Sequence, residues 1–402
     1  MPVCNVSGLD IHALRTDTPG CHKTLHLNNA GASLTTAPVL RTINDYLEKE
    51  AMIGGYEAAL QEDSQIQATY ESIARLLNCS DSEIALMESA TNGWDAIFYA
   101  LTFKPGDRIL TGHSEYASNY IAMLQRAEAM GIRIEIVPDD AHGQIDLNKL
   151  ETMMDDKVRL IALTHVPTNN GLVNPAREVG GIAKRWQHAW YHLDACQSVG
   201  QMPINVEEVD CDSLSATGRK YLRAPRGTGF LYINQSHIAN LHPSQVDMRA
   251  AEWTAMNTYT LRDDAKRFEH WEASHALRLG LKTAVDYAMD LGLANIQKRI
   301  DYLSAKLRSV LSTIPEITLR DKGLKQCGIV TFDIHGLDCQ DVVQNLYDKG
   351  INASLSPANM ARLDMEPRGL NAVIRSSVHY YNTEEELQRL SDELKQYISE
   401  KI

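Results

Sequence analysis

Short β-branched or apolar runs alternate with helical stretches through the first two-thirds of this chain. That alternation restricts the available folds more than any other feature. Glu83–Glu88 (EIALME) reads as a strand, Ala90–Phe103 as a helix, and Asp107–Thr111 (DRILT) as the next strand. Tyr116–Met130 is helix-like and Arg133–Pro138 strand-like; Lys157–His165, Ala189–Leu193, Asp212–Thr217 and Gly229–Asn234 supply four more strands. Strands separated by helical segments require crossover connections and build a mostly parallel sheet. Between residues 210 and 234 two strands follow each other with no room for a helix, so at least one antiparallel neighbour is expected.

The texture changes from about residue 275. Ser274–Leu293 and Asn295–Thr313 carry apolar residues every three or four positions, the period of consecutive long helices. The strand Gly328–Ile334, helix Asp338–Asp348, strand Ala372–Tyr380 and helix Glu384–Ser399 follow. Thr383 and Glu386 are spaced as a capping box for the last helix. The expected fold class is therefore α/β: a large domain over 22–280 with a mostly parallel mixed sheet, plus a smaller α+β domain formed by 1–21 and 281–402.

Composition narrows the function. With 402 residues, 44% hydrophobic and 23% charged, the chain is long enough for more than one core and is not disordered. The net charge of −13 argues against a nucleic-acid or anionic-membrane binder. Seven scattered cysteines without a C-x-x-C pair argue against a disulfide framework or zinc ribbon. The start MPVCNVSGLDIHALR has no signal-peptide pattern, and a cytoplasmic location is expected. No apolar run is long enough for a bilayer.

No Walker loop, G-x-S-x-G elbow or H-E-x-x-H helix is present. The pairs His22/His26 and His188/His192 lack cysteine or carboxylate partners at ligand spacing, so no metal site is expected. The strongest constellation is YHLDACQ (Tyr191–Gln197) followed by SATGRK (Ser215–Lys220). Asp194 ends one strand and Lys220 follows the next, at the sheet edge where open α/β folds bind ligands. An amine and a carboxylate at one cleft are what pyridoxal phosphate needs: a Schiff-base partner and a group that keeps the pyridine nitrogen protonated. An ordinary lysine and a hydrogen-bonded core aspartate fit the spacing equally well. ESATNG (Glu88–Gly93), where a strand passes into a helix N-terminus, fits a phosphate seat or plain capping by Ser89 or Thr91, and Arg219 would add charge for the same phosphate.

Taken with GDRIL, SEYASN, LTHVPTNNGLVNP, HLDACQSVGQMPIN, SATGRKYLRAPRGTGFLYI and VIRSSVHYYNTEEEL, these segments resemble the class V aminotransferase-like enzymes. More narrowly they are similar to the cysteine desulfurase/selenocysteine lyase branch of fold type I pyridoxal phosphate enzymes, from about Leu25 to Leu387. The resemblance implies that Lys220 carries the cofactor, Asp194 holds its pyridine nitrogen and Gln197 its phenolic oxygen. It gives Ala90, Thr91, Thr217 and Arg219 to the phosphate, Arg219 standing where many relatives have His. Tyr116 falls where relatives stack a ring on the cofactor. Thr168, Asn169 and the LNNAGASL loop with Asn29 would line the substrate pocket, and Arg375 would clamp an α-carboxylate. A homodimer with its sites near the interface is also implied; Phe268 and Trp271 are expected to pack there, and Ser274 is a weak match for a residue reaching the partner's phosphate.

One departure bears on chemistry. Desulfurases carry a nucleophilic cysteine on the loop before that arginine, whereas residues 354–369 (SLSPANMARLDMEPRG) contain none. Cys196, Cys327 and Cys339 lie elsewhere and read as structural thiols. Removing sulfur by β-elimination needs no such cysteine. The expected function is thus a carbon–sulfur lyase acting on a cysteine conjugate or its sulfoxide, of the kind found in ergothioneine formation, although Ala224 replaces the second glycine of the G-R-K-x-L-x-G-P-R-G text. An aminotransferase or epimerase shares the first steps and is the alternative; a non-catalytic scaffold fits less well with all four of Lys220, Asp194, Gln197 and Arg375 in place.

Overall fold

The computed structural model describes residues 7–402; Cys4 lies outside them. Seven strands form the main sheet in the order Ile84–Met87, Gly229–Ile233, Ser213–Thr217, Trp190–Asp194, Val158–Thr164, Arg108–Gly112, Arg133–Val137. Gly229–Ile233 runs against both of its neighbours, and every other pairing is parallel. The reversed strand is the one that the helix-free stretch before it anticipated. Its neighbours' residues Ile84–Met87, Ser213–Thr217 and its own are all buried, as continuous apolar strands between two helical layers should be.

Because six strands point the same way, Met87, Gly112, Thr164, Asp194 and Thr217 all end at one edge. Helices Ala90–Ala100 and Ala117–Met130 start from that edge. Gly229 lets the first of them come close. A Cβ there would lie 2.8 Å from the Ser89 carbonyl carbon and 3.0 Å from the Ala90 nitrogen.

A second, antiparallel sheet has the order Ile317–Leu319, Ile329–Ile334, Ala372–Ser377, Ser354–Pro357. Leu293–Leu311, Cys339–Asp348 and Glu384–Lys401 are its helices, and the Thr383/Glu386 capping box is formed. The strand at Ala372 stops at Ser377 instead of reaching Tyr380, because the His379 backbone N–H turns to the Asn382 side chain at 2.8 Å. A single helix, His275–Leu291, runs through residue 280; Gly292 at φ 79° separates it from the next. The N-terminal segment crosses to this second sheet: Leu25 and His26 pair with Ile351 and Asn352, and Asn28 bridges to Ser377.

Phe268 corrects one expectation. It is buried in its own chain's core with Met87, Ile97 and Leu231, while Trp271 is exposed. Among the described residues, no helix is long and apolar enough to cross a membrane.

Candidate active site

Asp194 ends its strand with its carboxylate 6% exposed. Its Oδ1 accepts from the Cys196 backbone at 2.9 Å and its Oδ2 from Asn119 Nδ2 at 2.9 Å. Two strong donors hold it in one orientation and leave lone pairs for a third. Lys220 follows the adjacent strand through Gly218, where a Cβ would strike the Thr228 hydroxyl and Ala224. Among the described residues its amine has no hydrogen-bond partner. Burial pushes that amine below the usual lysine range, and Arg219 and Arg375 add to the shift against Cys196 and Asp194. A half-buried lysine that sheds its proton early is a nucleophile and a base.

Arg219, Lys220 and Arg375 are thus brought into one electropositive pocket inside an acidic protein. Arg219 Nη1 donates to Thr217 Oγ1 at 3.0 Å, beside the N-terminus of the helix that Ser89 caps through the Asn92 N–H at 3.1 Å. Ala90 is buried there and Thr91 is exposed. Gln197 is buried, its Nε2 donating to the Ala30 carbonyl at 3.0 Å and its Oε1 left without a partner. Tyr116 immediately precedes the helix Ala117–Met130 and lies close enough to Arg375 to affect its charge.

Arg375 is 7% exposed and, among the described residues, faces no carboxylate. Its Nη1 donates to the Thr168 carbonyl at 3.1 Å and hydroxyl at 2.7 Å, its Nη2 to Asn28 Oδ1 at 3.3 Å, and its Nε is orphaned. Burial lowers its pKa to about 10, with Arg219 adding and Tyr221 and Tyr116 opposing. A buried cation held only by neutral groups is completed by an anionic ligand.

The loop residues divide differently from expectation. Asn29 is fully buried, its Nδ2 donating to the Ser377 carbonyl at 2.7 Å and its Oδ1 accepting from the Tyr381 hydroxyl. Its amide is committed to joining the N-terminal segment to the second sheet, and its neighbour Asn28 meets Arg375. Thr168 supports that arginine. Asn169 is buried against Met365, with its Oδ1 unpartnered. Ser274 caps the helix His275–Leu291.

The sequence reading passed over Glu115 and Asn119, buried beside Asp194. Their four-residue spacing at a helix start was visible in SEYASN, but nothing in it marks a carboxylate as buried. His165 is also buried there, its ring lowered to about 4 by burial and by Lys325, against Asp194.

An unsatisfied guanidinium, an unpartnered amine, an orphaned Gln197 oxygen and a bonded but unsaturated carboxylate suit a phosphorylated pyridine aldehyde and an amino-acid substrate. Comparison with known proteins agrees. The aminotransferase class-V family pattern matches residues 25–390. The chain belongs to that family, and it is a pyridoxal phosphate enzyme of fold type I. A probable cysteine desulfurase of Methanothermobacter thermautotrophicus is 28% identical over 389 residues, 95% of this chain and 97% of that protein. One from Synechocystis is 28% identical over 91% of this chain and 89% of its own length. Among solved structures, an apo cysteine desulfurase from Thermococcus onnurineus matches with TM-score 0.90, 25% identity and coverage of 96% and 98%. The cystine C–S lyase C-DES, solved with its product cysteine persulfide, has the same fold at TM-score 0.84 and 24% identity, with coverage of 93% and 99%.

Proposed function

We propose that this enzyme is a carbon–sulfur lyase that eliminates the sulfur group of a cysteine conjugate or its sulfoxide, releasing pyruvate and ammonia. The observation carrying this reading is the segment 354–369. Ser354–Pro357 pairs with the Arg375 strand, and the short helix Arg362–Met365 folds back on Asn169 and Asn170 without a thiol. Buried Asp364 fixes it through Lys322 at 2.6 Å and Arg368 at 2.9 Å. Three thiols elsewhere in the described residues are poor nucleophiles: burial raises Cys196, and holds Cys327 at about 12 and Cys339 at about 11. These features support elimination over persulfide relay, although the relatives named above are called desulfurases.

When bound, the cofactor supplies an electron sink for the charge that develops at the substrate α-carbon. Lys220 is its covalent anchor and the base for the α-proton, Asp194 the partner of its ring nitrogen, and Gln197 of its phenolic oxygen. Ala90, Thr91, Thr217 and Arg219 would hold its phosphate, and Tyr116 would lie beside its ring. Arg375 would take the substrate carboxylate, with Asn28, Thr168 and Asn169 shaping the pocket and Asn29 holding the Asn28 loop in place. Lys220 would take the α-proton, the sulfur group would depart with the C–S electron pair, and water would complete the release of pyruvate and ammonia. The division into 22–280 and 1–21 with 281–402 goes with this reading. So does a homodimer, supported by exposed Met52, Tyr56, Leu60, Trp253 and Met256.

The test is product analysis with a cysteine sulfoxide conjugate, cystine and free cysteine, and with alanine plus a keto acid. Pyruvate from the conjugate or from cystine is expected. Alanine from cysteine establishes desulfurase chemistry instead, and amino exchange in the last mixture establishes an aminotransferase.

A further inference from the structure

Behind Asp194 lies a second buried carboxylate. Glu115 is 3% exposed, and no cation pairs with it among the described residues. Four donors surround it. Thr111 Oγ1 reaches its Oε2 at 2.7 Å; Thr164 Oγ1 at 2.7 Å, the Tyr116 backbone N–H at 2.7 Å and Asn119 Nδ2 at 2.9 Å reach its Oε1. The same Asn119 nitrogen lies 2.9 Å from Asp194 Oδ2. An amide nitrogen carries two hydrogens, so one is available to each carboxylate.

Three parts of the sheet edge meet at this group: the strand with Thr111, the strand with Thr164, and the turn that presents Tyr116. A neutral residue could join them without the cost of burying an ionisable group. Burial raises the Glu115 pKa, the threonine and Asn119 hydrogen bonds oppose that rise, and the nearby Asp194 charge adds to it. Packing alone does not explain why the group that joins them is a carboxyl group one amide away from Asp194.

We propose that Glu115 is a positioning residue: through Asn119 it fixes the Asp194 carboxylate toward the cofactor's ring nitrogen. This rests on Asp194 being the ring-nitrogen partner. The arrangement orders the shells outward: ring nitrogen, Asp194, Asn119, Glu115. Its consequence is specific, since Glu115 matters only for a cofactor that has a ring nitrogen to hold.

The experiment titrates apoprotein with pyridoxal phosphate and with its analogue in which carbon replaces the ring nitrogen, following visible absorbance. It compares wild type, Glu115→Gln and Asn119→Ala; the second variant keeps Glu115's other three donors and carries the test if the first fails to fold. Binding of pyridoxal phosphate by the wild type comes first, and its absence there means that the cofactor reading has failed, not the role of Glu115. Given that binding, both variants should bind pyridoxal phosphate about tenfold more weakly, the effect of one charge-assisted hydrogen bond, with the analogue's affinity unchanged. Equal weakening for cofactor and analogue, or no weakening for either, overturns the proposal in favour of a purely structural carboxylate.

Discussion

Arg223 and Arg375 are both deeply buried and neither meets a carboxylate, yet they are built in opposite ways. Arg223 Nε donates to the Leu34 carbonyl at 2.8 Å, Nη1 to the Tyr380 hydroxyl at 2.7 Å and Nη2 to Thr18 Oγ1 at 2.6 Å. Its guanidinium also lies over the rings of Tyr380 and Tyr381, at 5.2 and 4.6 Å. Burial works against its charge, but Tyr380 and Tyr381 outweigh that and the net pKa is raised. Arg375 has an orphaned Nε, a long bond to Asn28 and a pKa lowered to about 10. One arginine is solvated by the protein and ties the N-terminal segment to the Lys220 turn and the Tyr380–Tyr381 pair. The other is left short of partners at the site. The difference separates a cation fully bonded within the fold from one that the fold leaves incompletely bonded.

Lys220 belongs with the second kind, and it should give the largest effect. Lys220→Ala is expected to lower turnover by about a thousandfold or more and to abolish the cofactor's lysine-bound absorbance, while urea unfolding of the apoprotein stays close to wild type. The two arginines should then behave as mirror images. Arg223→Met strands three polar partners at about 1 kcal/mol each, so a loss of about 3 kcal/mol in urea unfolding is expected. Arg375→Met loses the Thr168 and Asn28 bonds but also removes an incompletely partnered buried cation, so stability should stay close to wild type, and the substrate KM should rise about a hundredfold. A large stability loss at Arg375, or loss of turnover with affinity unchanged, breaks the contrast.

Arg375→Lys keeps the charge but not the planar fork, and should raise KM about tenfold. The smallest effect comes from acid. Burial holds His165 and His192 at about 4 in the folded chain, against about 6.5 unfolded. The unfolded state therefore binds protons first as pH falls. Stability is full above pH 6.5 and declines toward pH 4, seen as a melting temperature a few degrees lower at pH 5 than at pH 7.

How much of this could be read beforehand depended on periodicity. The seven main strands were legible within a residue or two at each end because buried strands are apolar and β-branched, and Thr383 and Glu386 announced the last helix by their spacing. Where periodicity is absent, reading failed. Asn28 and Asn29 are adjacent in an irregular segment, and no pattern tells which one faces Arg375. Phe268 looked like an interface residue because an apolar ring in a polar stretch reads the same whether a partner or the chain's own core covers it. Glu115 and Arg223 look like surface charges, since burial of a charge depends on contacts far away in sequence. The Asp194–Lys220 pair was visible only because both follow strands whose ends converge.

The proposed function stands or falls on Lys220 as the residue that carries the cofactor. Borohydride reduction of the pyridoxal phosphate-loaded protein makes that bond permanent, and peptide mass spectrometry locates it. The added mass is predicted on the peptide containing Lys220, and to be lost in Lys220→Ala. Mass on a different lysine, or none on a protein that has bound pyridoxal phosphate, would contradict it.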